Sequence, residues 1–389
     1  MSSMIFCATC AIIRLYTTAV ALYPCFVEQM TREGRPLPAC VRAAFEAYLR
    51  CGLLEHGFLS VQCTSCHPER LVAFSCKRRG FCPSCGARRM AETSALLVDD
   101  ILPPHPIRQW VLSFPFALRY LFATRPATLS RVLAIVYRAI ARRYAGAAGV
   151  AVSQGHTGSV TLIQRFGSAL NLNVHLHMLF LDGVYVERDD KPRFRRVSAP
   201  VKTELEVLVH QISQRVGRHL ERKGLLERDL ESSQLTLDPA DENDGMNALL
   251  GHSITYRVAV GPRAGQKAFT LQTLPPLTEH HDDEPPYLAK ANGFSLHAGV
   301  CAQAFERDKL ERLCRYITRP PVADQRISLT PNGNIRYELK TPYRDGTTHV
   351  VLDPMDFMPQ GTFSIAVRSH LVARLAALVP RPRVNLTRY

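Results

Sequence analysis

The sequence predicts an α+β fold in which a small cysteine-rich module precedes a larger domain of sheet and helices. Strand-like and helix-like segments alternate in mixed order, and five of the twelve cysteines fall between Cys63 and Cys85. The 389 residues suffice for roughly two to three domains. A composition of 46% hydrophobic and 21% charged residues excludes disordered, collagen-like and coiled-coil classes.

Hydrophobic periodicity predicts the elements in chain order. Apolar residues at three- and four-residue spacing predict helices over 42–54, 91–101, 129–144, 204–225 and 303–318. Alternating or continuous apolar runs predict strands over 110–116, 159–166, 172–181, 254–260, 335–339 and 347–352. Two proline pairs, Pro103-Pro104 and Pro320-Pro321, close helices because proline supplies no backbone donor.

The charge of the chain indicates a polyanionic partner. Lys and Arg number 48 against 34 Asp and Glu, a formal charge of +14. Residues 101–181 contain no acidic residue and no lysine, but eight arginines. The planar fork of Arg matches phosphate oxygens, so this run favours a nucleic-acid surface over a merely solvated basic face.

Cysteine spacing predicts a structural zinc site. Cys63 and Cys66 form one CxxC pair, Cys82 and Cys85 form another, and Cys76 between them is a fifth candidate ligand. Two such pairs can present four thiolates to one tetrahedral Zn²⁺ and leave no open position for chemistry. Cys51, His56 and His67 are further candidates. The adjoining basic residues are expected to face DNA phosphates: Lys77, Arg78, Arg79, Arg88 and Arg89.

The first residues of the chain are apolar with an unusual composition. The stretch from Met4 to Val27 contains one charge, Arg14, and the residues before it include no Lys or Arg. A mid-span Arg disfavours a membrane helix, and the missing basic segment disfavours a signal peptide. We therefore expect a soluble or non-native leader over residues 1–37 and no stable membrane association.

Two imidazoles and one phenol are the candidate catalytic groups. His175 and His177 alternate along a strand, so their side chains share a face and could chelate one divalent cation. Tyr316 lies on a predicted helix with Arg312 and Arg319 on its face, where the guanidiniums would bind a phosphate and favour the phenolate. The competing interpretations are hydrogen-bonded surface histidines and an ordinary packed tyrosine.

Several motifs together resemble a known family. The segments RCGLLEHGF, FSCKRRGFCPSCGARRMAE, RQWVLSFPF, TLIQRFGSALNLNVHLHMLFLDGVY, CRYITRPP, YRDGTTHVVLDP and RVNLTRY resemble rolling-circle transposases of the insertion-sequence-ninety-one and common-region (ISCR) kind. The resemblance implies a bacterial, cytoplasmic protein with a zinc-binding DNA-binding domain, over 38–100, and a His-hydrophobe-His (HUH) endonuclease domain, over 105–389, built on an antiparallel sheet. It implies Mg²⁺- or Mn²⁺-dependent nicking of single-stranded element ends through a 5′-phosphotyrosine.

The chain departs from the family pattern at several points. Some relatives carry two tyrosines four residues apart, whereas Arg312 stands at the earlier position here. Relatives continue past Tyr389, so we expect a catalytic domain shortened at its C-terminus. Gln164 and Asn173 are candidates for a third metal ligand, and Asp182 is disfavoured by strand alternation. The alternative function is a non-catalytic, zinc-dependent DNA-binding protein, which would need neither the histidine pair nor Tyr316.

Overall fold

The computed structural model describes residues 5–78, 80–228, 233–236, 245–259, 263–274, 285–331, 334–352, 369–380 and 386–388. Its helices are α1 Ile5–Arg32, α2 Ala39–Leu49, α3 Pro83–Leu96, α4 Phe116–Thr124, α5 Pro126–Ala147, α6 Lys202–Glu221, α7 Gly245–Ile254, α8 Arg307–Thr318 and α9 Ser369–Leu378. Helices and antiparallel sheet are combined as the sequence predicted, so the α+β class is confirmed.

The strands form one large sheet and several small ones. In chain order they are β1 Phe58–Gln62, β2 Glu69–Ala73, β3 Ile107–Ser113, β4 Gly155–His156, β5 Ser159–Phe166, β6 Leu172–Leu181, β7 Gly183–Arg188, β8 Lys191–Arg196, β9 Leu226–Arg228, β10 Ser233–Leu235, β11 Phe269–Gln272, β12 Leu288–Ala291, β13 Phe294–Ala302, β14 Ile327–Leu329, β15 Ile335–Glu338, β16 Thr347–Leu352 and β17 Thr387–Arg388. The largest sheet has six strands in the order β12-β13-β3-β6-β5-β17, and every neighbouring pair is antiparallel.

The central strand β6 fixes the position of the histidine pair. His175 pairs with Gln164 on β5 and with Ser113 on β3, while His177 pairs with Leu162 and Val111. Directly opposed residues point to the same face of a sheet, so Gln164 shares the face of the two histidines. The intervening Leu176 is fully buried on the other face, against the main hydrophobic core.

Helix α8 packs against both the sheet and the cysteine-rich module. Its buried stripe of Leu310, Leu313, Cys314 and Ile317 faces a second, smaller hydrophobic cluster with residues of β3, β5 and β6. Helix α3 lies along α8 closely enough that a Cβ on Gly86 would stand 2.5 Å from the Cβ of Pro320. The cysteine-rich module and the tyrosine-bearing helix therefore form one packed unit.

The N-terminal segment is part of the hydrophobic core. Phe26 and Met30 of α1 are fully buried in the main cluster, and Tyr23 stacks on Phe45 of α2 with ring centroids 4.6 Å apart. The expectation that residues 1–37 form a separate leader remains a prediction, but this segment contributes to the core through Leu15, Ala19, Leu22, Tyr23, Phe26 and Met30. Among the described residues, no helix combines the length and the apolar character needed to cross a bilayer.

Several predicted elements differ from the structure: the strand predicted over 110–116 lies at Ile107–Ser113, the helix predicted over 42–54 lies at Ala39–Leu49, and two further differences have a clear physical reason. The strand predicted over 254–260 is wrong in its described part, where α7 ends at Ile254 and only Arg257 forms an isolated bridge. Leu249, Leu250 and Ile254 are buried in the main core, and α7 packs on the large sheet, so tertiary packing overrides the local strand preference. Helix α3 begins at Pro83, earlier than predicted, because proline is well suited to the first helical position.

Candidate active site and metal centre

Four cysteines form a compact thiol cluster. The Sγ atoms of Cys51, Cys76, Cys82 and Cys85 all lie within 4.8 Å of one another. The recorded Sγ–Sγ distances are 3.6 Å for Cys51–Cys85, 3.4 Å for Cys76–Cys85 and 3.7 Å for Cys82–Cys51. A tetrahedral zinc with Zn–S bonds of about 2.3 Å places its sulfurs about 3.8 Å apart. The cluster therefore fits a structural Zn²⁺ bound by four thiolates.

The contacts within the cluster favour a thiolate at Cys51, while the same contacts and burial raise the pKa of Cys82. The thiols of Cys76 and Cys82 both point toward Sγ of Cys51, which lowers the pKa of Cys51 to about 4. Zinc binds the deprotonated form, so a site that already favours a thiolate suits the metal. Phe81, which precedes Cys82, packs on Phe45 and Tyr48 of α2 and anchors the cluster to the core.

The predicted ligand set of one zinc site needs a correction. Cys82, Cys85 and the fifth candidate Cys76 belong to the cluster, but Cys63 and Cys66 are exposed and lie outside it, and Cys51 takes part instead. The reason is the β1–β2 hairpin, whose five-residue strands carry Cys63 and Cys66 roughly 17 Å from its base. Cys51 and Cys76 flank that base, a relation that CxxC spacing does not reveal.

The basic residues of the module have different roles. Lys77, Arg78 and Arg88 are exposed, and Arg88 is 4.0 Å from Glu92 on the same helix. Arg89 donates hydrogen bonds to the backbone carbonyls of Lys77 and Arg78, so its guanidinium holds the loop beside the cluster. Arg79 lies outside the described residues.

The structure brings the histidine pair and the tyrosine together. The ring centroids of His175 and His177 are 4.9 Å apart, and those of His177 and Tyr316 are 6.1 Å apart. His175 and His177 extend from β6, whereas Tyr316 comes from α8, more than a hundred residues later. The sheet and the helix stripe together create this juxtaposition, since the packing of Ile317 fixes the rotation of α8.

Both imidazoles are neutral and oriented by hydrogen bonds. Burial lowers the pKa of His175 to about 4 and that of His177 to about 2, with Arg319 adding to both shifts. Nδ1 of His175 donates to the carbonyl of Asn173 at 2.9 Å, which leaves its Nε2 lone pair available. Nδ1 of His177 lies 2.8 Å from Nε2 of the Gln109 amide, which as a donor places the ring hydrogen on Nε2. The flipped amide, with its oxygen accepting from Nδ1, leaves the Nε2 lone pair available as in His175.

Buried polar atoms on this face are suited to a divalent cation. In the described part of the chain, Nε2 of His177, Oε1 of Gln164 and Oδ1 of Asn173 are buried without a hydrogen-bond partner. A buried polar atom without a hydrogen-bond partner lowers the stability of the fold unless a bound ligand contacts it. The Gln164 amide nitrogen donates to the carbonyl of Ile317 at 2.8 Å, which ties β5 to α8 and leaves the amide oxygen as the buried atom without a partner.

Asp182 is already engaged elsewhere. Both of its oxygens accept from the Arg108 guanidinium at 2.7 Å, and one also accepts from the Tyr144 hydroxyl at 3.2 Å. All three side chains are buried, so this network is structural. It also removes Arg108 from the predicted arginine-rich DNA surface.

The surroundings of Tyr316 are cationic. The Arg319 guanidinium lies 4.2 Å and the Lys340 ammonium 3.8 Å from the centroid of the Tyr316 ring. Burial alone would raise the pKa of the Tyr316 phenol, but these two cations outweigh it and lower the pKa. In the described structure, the cations that lie over the Tyr316 ring are Arg319 and Lys340, whereas the predicted neighbour Arg312 is exposed. The sequence could not predict the contact between Lys340 and Tyr316, because Lys340 reaches the ring from the loop after β15.

A cleft of about 420 Å³ lies beside the tyrosine helix, between α3, β5 and the end of α8. Gln164, Phe166 and Arg319 line one side, and Arg89 and Gly86 of the cysteine-rich module line the other. The cleft therefore lies between helix α3 of the zinc cluster and the junction of β5 with the end of α8, and His175, His177 and Tyr316 are not among its lining residues. A ligand bound there would contact both parts of the protein.

Comparison with known families identifies the chain. Residues 158–389, more than half of the chain, match the family model "Putative transposase", and residues 23–114 match "Transposase zinc-binding domain". Searches of curated proteins and of solved structures returned no match. A transposase acts on DNA, which agrees with the positive charge, and the matched zinc-binding segment contains all four cysteines of the cluster. The chain therefore belongs to the transposase family of the insertion-sequence-ninety-one and common-region type.

Proposed function

We propose that this transposase nicks and rejoins single-stranded DNA at the ends of its mobile element, with Tyr316 as the nucleophile. The observation that carries the proposal is the position of the Tyr316 ring, 6.1 Å from that of His177 and against two cations. A nucleophile, a candidate metal-binding pair and phosphate-binding cations in one place are what a phosphodiester transfer requires.

The histidine face supplies the proposed metal ligands. Neutral His175 offers an Nε2 lone pair, His177 offers one when the Gln109 amide oxygen accepts from its Nδ1, and Gln164 and Asn173 are the candidate oxygen ligands. Mg²⁺ or Mn²⁺ bound there would polarise the scissile phosphate and stabilise the charge on its oxygens. Because the imidazoles are held by Asn173 and Gln109, their orientation does not depend on the cation.

The chemical step is a transfer to the phenol oxygen. Arg319 and Lys340 favour the phenolate of Tyr316, whose proton leaves to solvent. The phenolate oxygen attacks the phosphorus, a 5′-phosphotyrosine bond forms, the bond to the 3′ oxygen breaks, and that oxygen takes up a proton. A later attack by a free 3′-hydroxyl reverses the step and joins strands without ATP, since the phosphotyrosine retains the phosphodiester energy.

A basic stripe on α5 is the proposed path of flanking DNA. Arg131, Arg138 and Arg142 are exposed and fall on one side of the helix by their spacing. Arg143, by contrast, is paired with Glu204 at 2.9 Å, and Arg165 is buried. The arginine-rich run thus divides into a surface stripe suited to phosphates and residues that stabilise the fold.

The test is the formation of a covalent protein–DNA adduct. Full-length protein is incubated with single-stranded element-end DNA and Mg²⁺ or Mn²⁺, and the adduct is resolved on a denaturing gel. Wild type should form it, Tyr316→Phe should not, and Tyr287→Phe should behave as wild type. Tyr287 is a matched control because both tyrosines are 38% exposed.

The same assay distinguishes the proposed nickase from the alternative, a non-catalytic DNA-binding protein. An adduct that survives Tyr316→Phe would refute the assigned nucleophile. Salt-dependent DNA binding by a folded wild-type protein, with no cleavage under either metal, would instead support a non-catalytic DNA-binding protein.

A further inference from the structure

The β1–β2 hairpin carries a thiol pair that the zinc cluster does not use. Cys63 and Cys66 are exposed at its tip. The backbone amides of Cys66 and Ser65 donate hydrogen bonds to Sγ of Cys63. Two cysteines on one turn, with amides directed at the first sulfur, can supply two of the four ligands of a tetrahedral zinc.

Among the described residues, the thiol pair has too few neighbouring ligands to complete a metal site. Across the described ranges, the only group of three or more His, Cys, Asp and Glu ligand atoms close enough for one metal is the Cys51 cluster. A site with two thiolates is a half-site, and a tetrahedral metal bound there would need two further ligands.

The same hairpin presents an apolar face that nothing described covers. Cross-strand pairing places Leu59 opposite Val72 and Val61 opposite Arg70, so their side chains share one face with Phe74. Leu59, Val61, Val72 and Phe74 are 39–58% exposed. An isolated two-stranded hairpin is marginal in water, so a hairpin that exposes such a face is suited to a partner surface.

We propose that two copies of this chain join through their hairpins, with one zinc ion bound by Cys63 and Cys66 of each copy. A two-fold axis through the metal supplies four thiolates from two identical half-sites, and it brings the same apolar face of each hairpin together. Four side chains per copy bury less than the roughly 1,000 Å² expected of a stable interface, so the shared metal is needed to hold the dimer.

The second copy is favoured over DNA as the occupant. The apolar face contains a single basic residue, Arg70 near the tip, whereas the exposed arginines of α5 provide a more suitable phosphate-binding surface. Thiolates at the tip would also repel a phosphate backbone. A metal-bridged pair of hairpins satisfies both the thiolates and the apolar side chains.

The experiment measures zinc content and mass together. Full-length protein loaded with ZnCl₂ and freed of excess metal is examined by elemental analysis and by light scattering after size exclusion. We expect dimers with about three zinc ions per two chains, one in each Cys51 cluster and one shared. The double variant Cys63→Ser/Cys66→Ser should be a monomer with about one zinc ion per chain.

Two variants serve as controls and two outcomes overturn the proposal. Cys25→Ser/Cys40→Ser removes two thiols outside both sites and should leave mass and zinc content unchanged. Leu59→Lys keeps the thiols and should weaken the dimer at least ten-fold. A serine variant that dimerises like wild type would overturn the proposal, as would a wild-type monomer with either one or two zinc ions per chain. Circular dichroism confirms that each variant is folded.

Discussion

Lys340→Met tests whether a cation from outside the tyrosine helix activates the nucleophile. The Lys340 ammonium lies 3.8 Å from the Tyr316 ring centroid, and together with Arg319 it lowers the pKa of the phenol. The substitution preserves much of the side-chain length and removes only the charge. It should therefore raise the pKa of Tyr316 and reduce the phenolate fraction at a given pH.

The magnitude follows from the geometry. Two unit charges about 4 Å apart interact by about 4 kcal/mol at an effective dielectric of about 20 and by about 1 kcal/mol in water. Lys340 is exposed, so solvent screening brings the effect close to the lower figure. About 1 kcal/mol corresponds to a roughly five-fold slower transfer. It also moves the rising part of the pH–rate profile upward by about 0.7 pH unit.

The assay is the initial rate of adduct formation between about pH 6 and pH 10, the range that leads up to the ordinary pKa of tyrosine. Lys309→Met is the matched control, because Lys309 pairs with Glu306 at the start of α8. A Lys340→Met profile that overlies the wild-type profile in rate and position would refute the role of this cation. A fall in rate without displacement of the limb would assign Lys340 to phosphate binding alone.

Three further predictions concern packing, a buried ion pair and pH. Gly86→Ala would place a Cβ 2.5 Å from a proline Cβ at the end of α8, so it should lower the free energy of unfolding by about 1–3 kcal/mol and slow adduct formation. Asp182→Ala leaves the buried Arg108 unpaired and should cost about 3–5 kcal/mol in urea unfolding. Burial lowers the pKa of His177 to about 2 from its ordinary 6.5, so only the unfolded chain takes up this proton as pH falls below 6.5. The metal-free protein should therefore lose on the order of 2 kcal/mol between about pH 7 and pH 5, and His177→Gln should lose less.

Each of these predictions has a measurement that could contradict it. Gly146→Ala is the control for Gly86→Ala, since a Cβ at Gly146 meets nothing within 4 Å, and equal unfolding curves for both would contradict the close packing. The double variant Asp182→Leu/Arg108→Met should recover much of the unfolding free energy that Asp182→Ala loses, because no buried charge remains at this position. Parallel pH dependence of unfolding for wild type and His177→Gln would contradict the buried, neutral imidazole.

Local sequence determined much of the fold and the chemistry of the site. Strand alternation alone put His175 and His177 on one face, and β5 and β6 have the predicted bounds. The apolar stripe of α8 likewise predicted which side of that helix is buried. These features depend on neighbours a few residues apart, which is why the sequence suffices.

Tertiary structure alone decided which distant residues meet. Spacing grouped Cys63 and Cys66 with Cys82 and Cys85, but a hairpin carried the first pair away and brought Cys51 to the cluster. Lys340 reaches Tyr316 from a different sheet. Sequence patterns record which face of an element is apolar, whereas the packing of one element on another sets distances between side chains far apart in the chain. Ligand sets and the environment of a nucleophile depend on those distances.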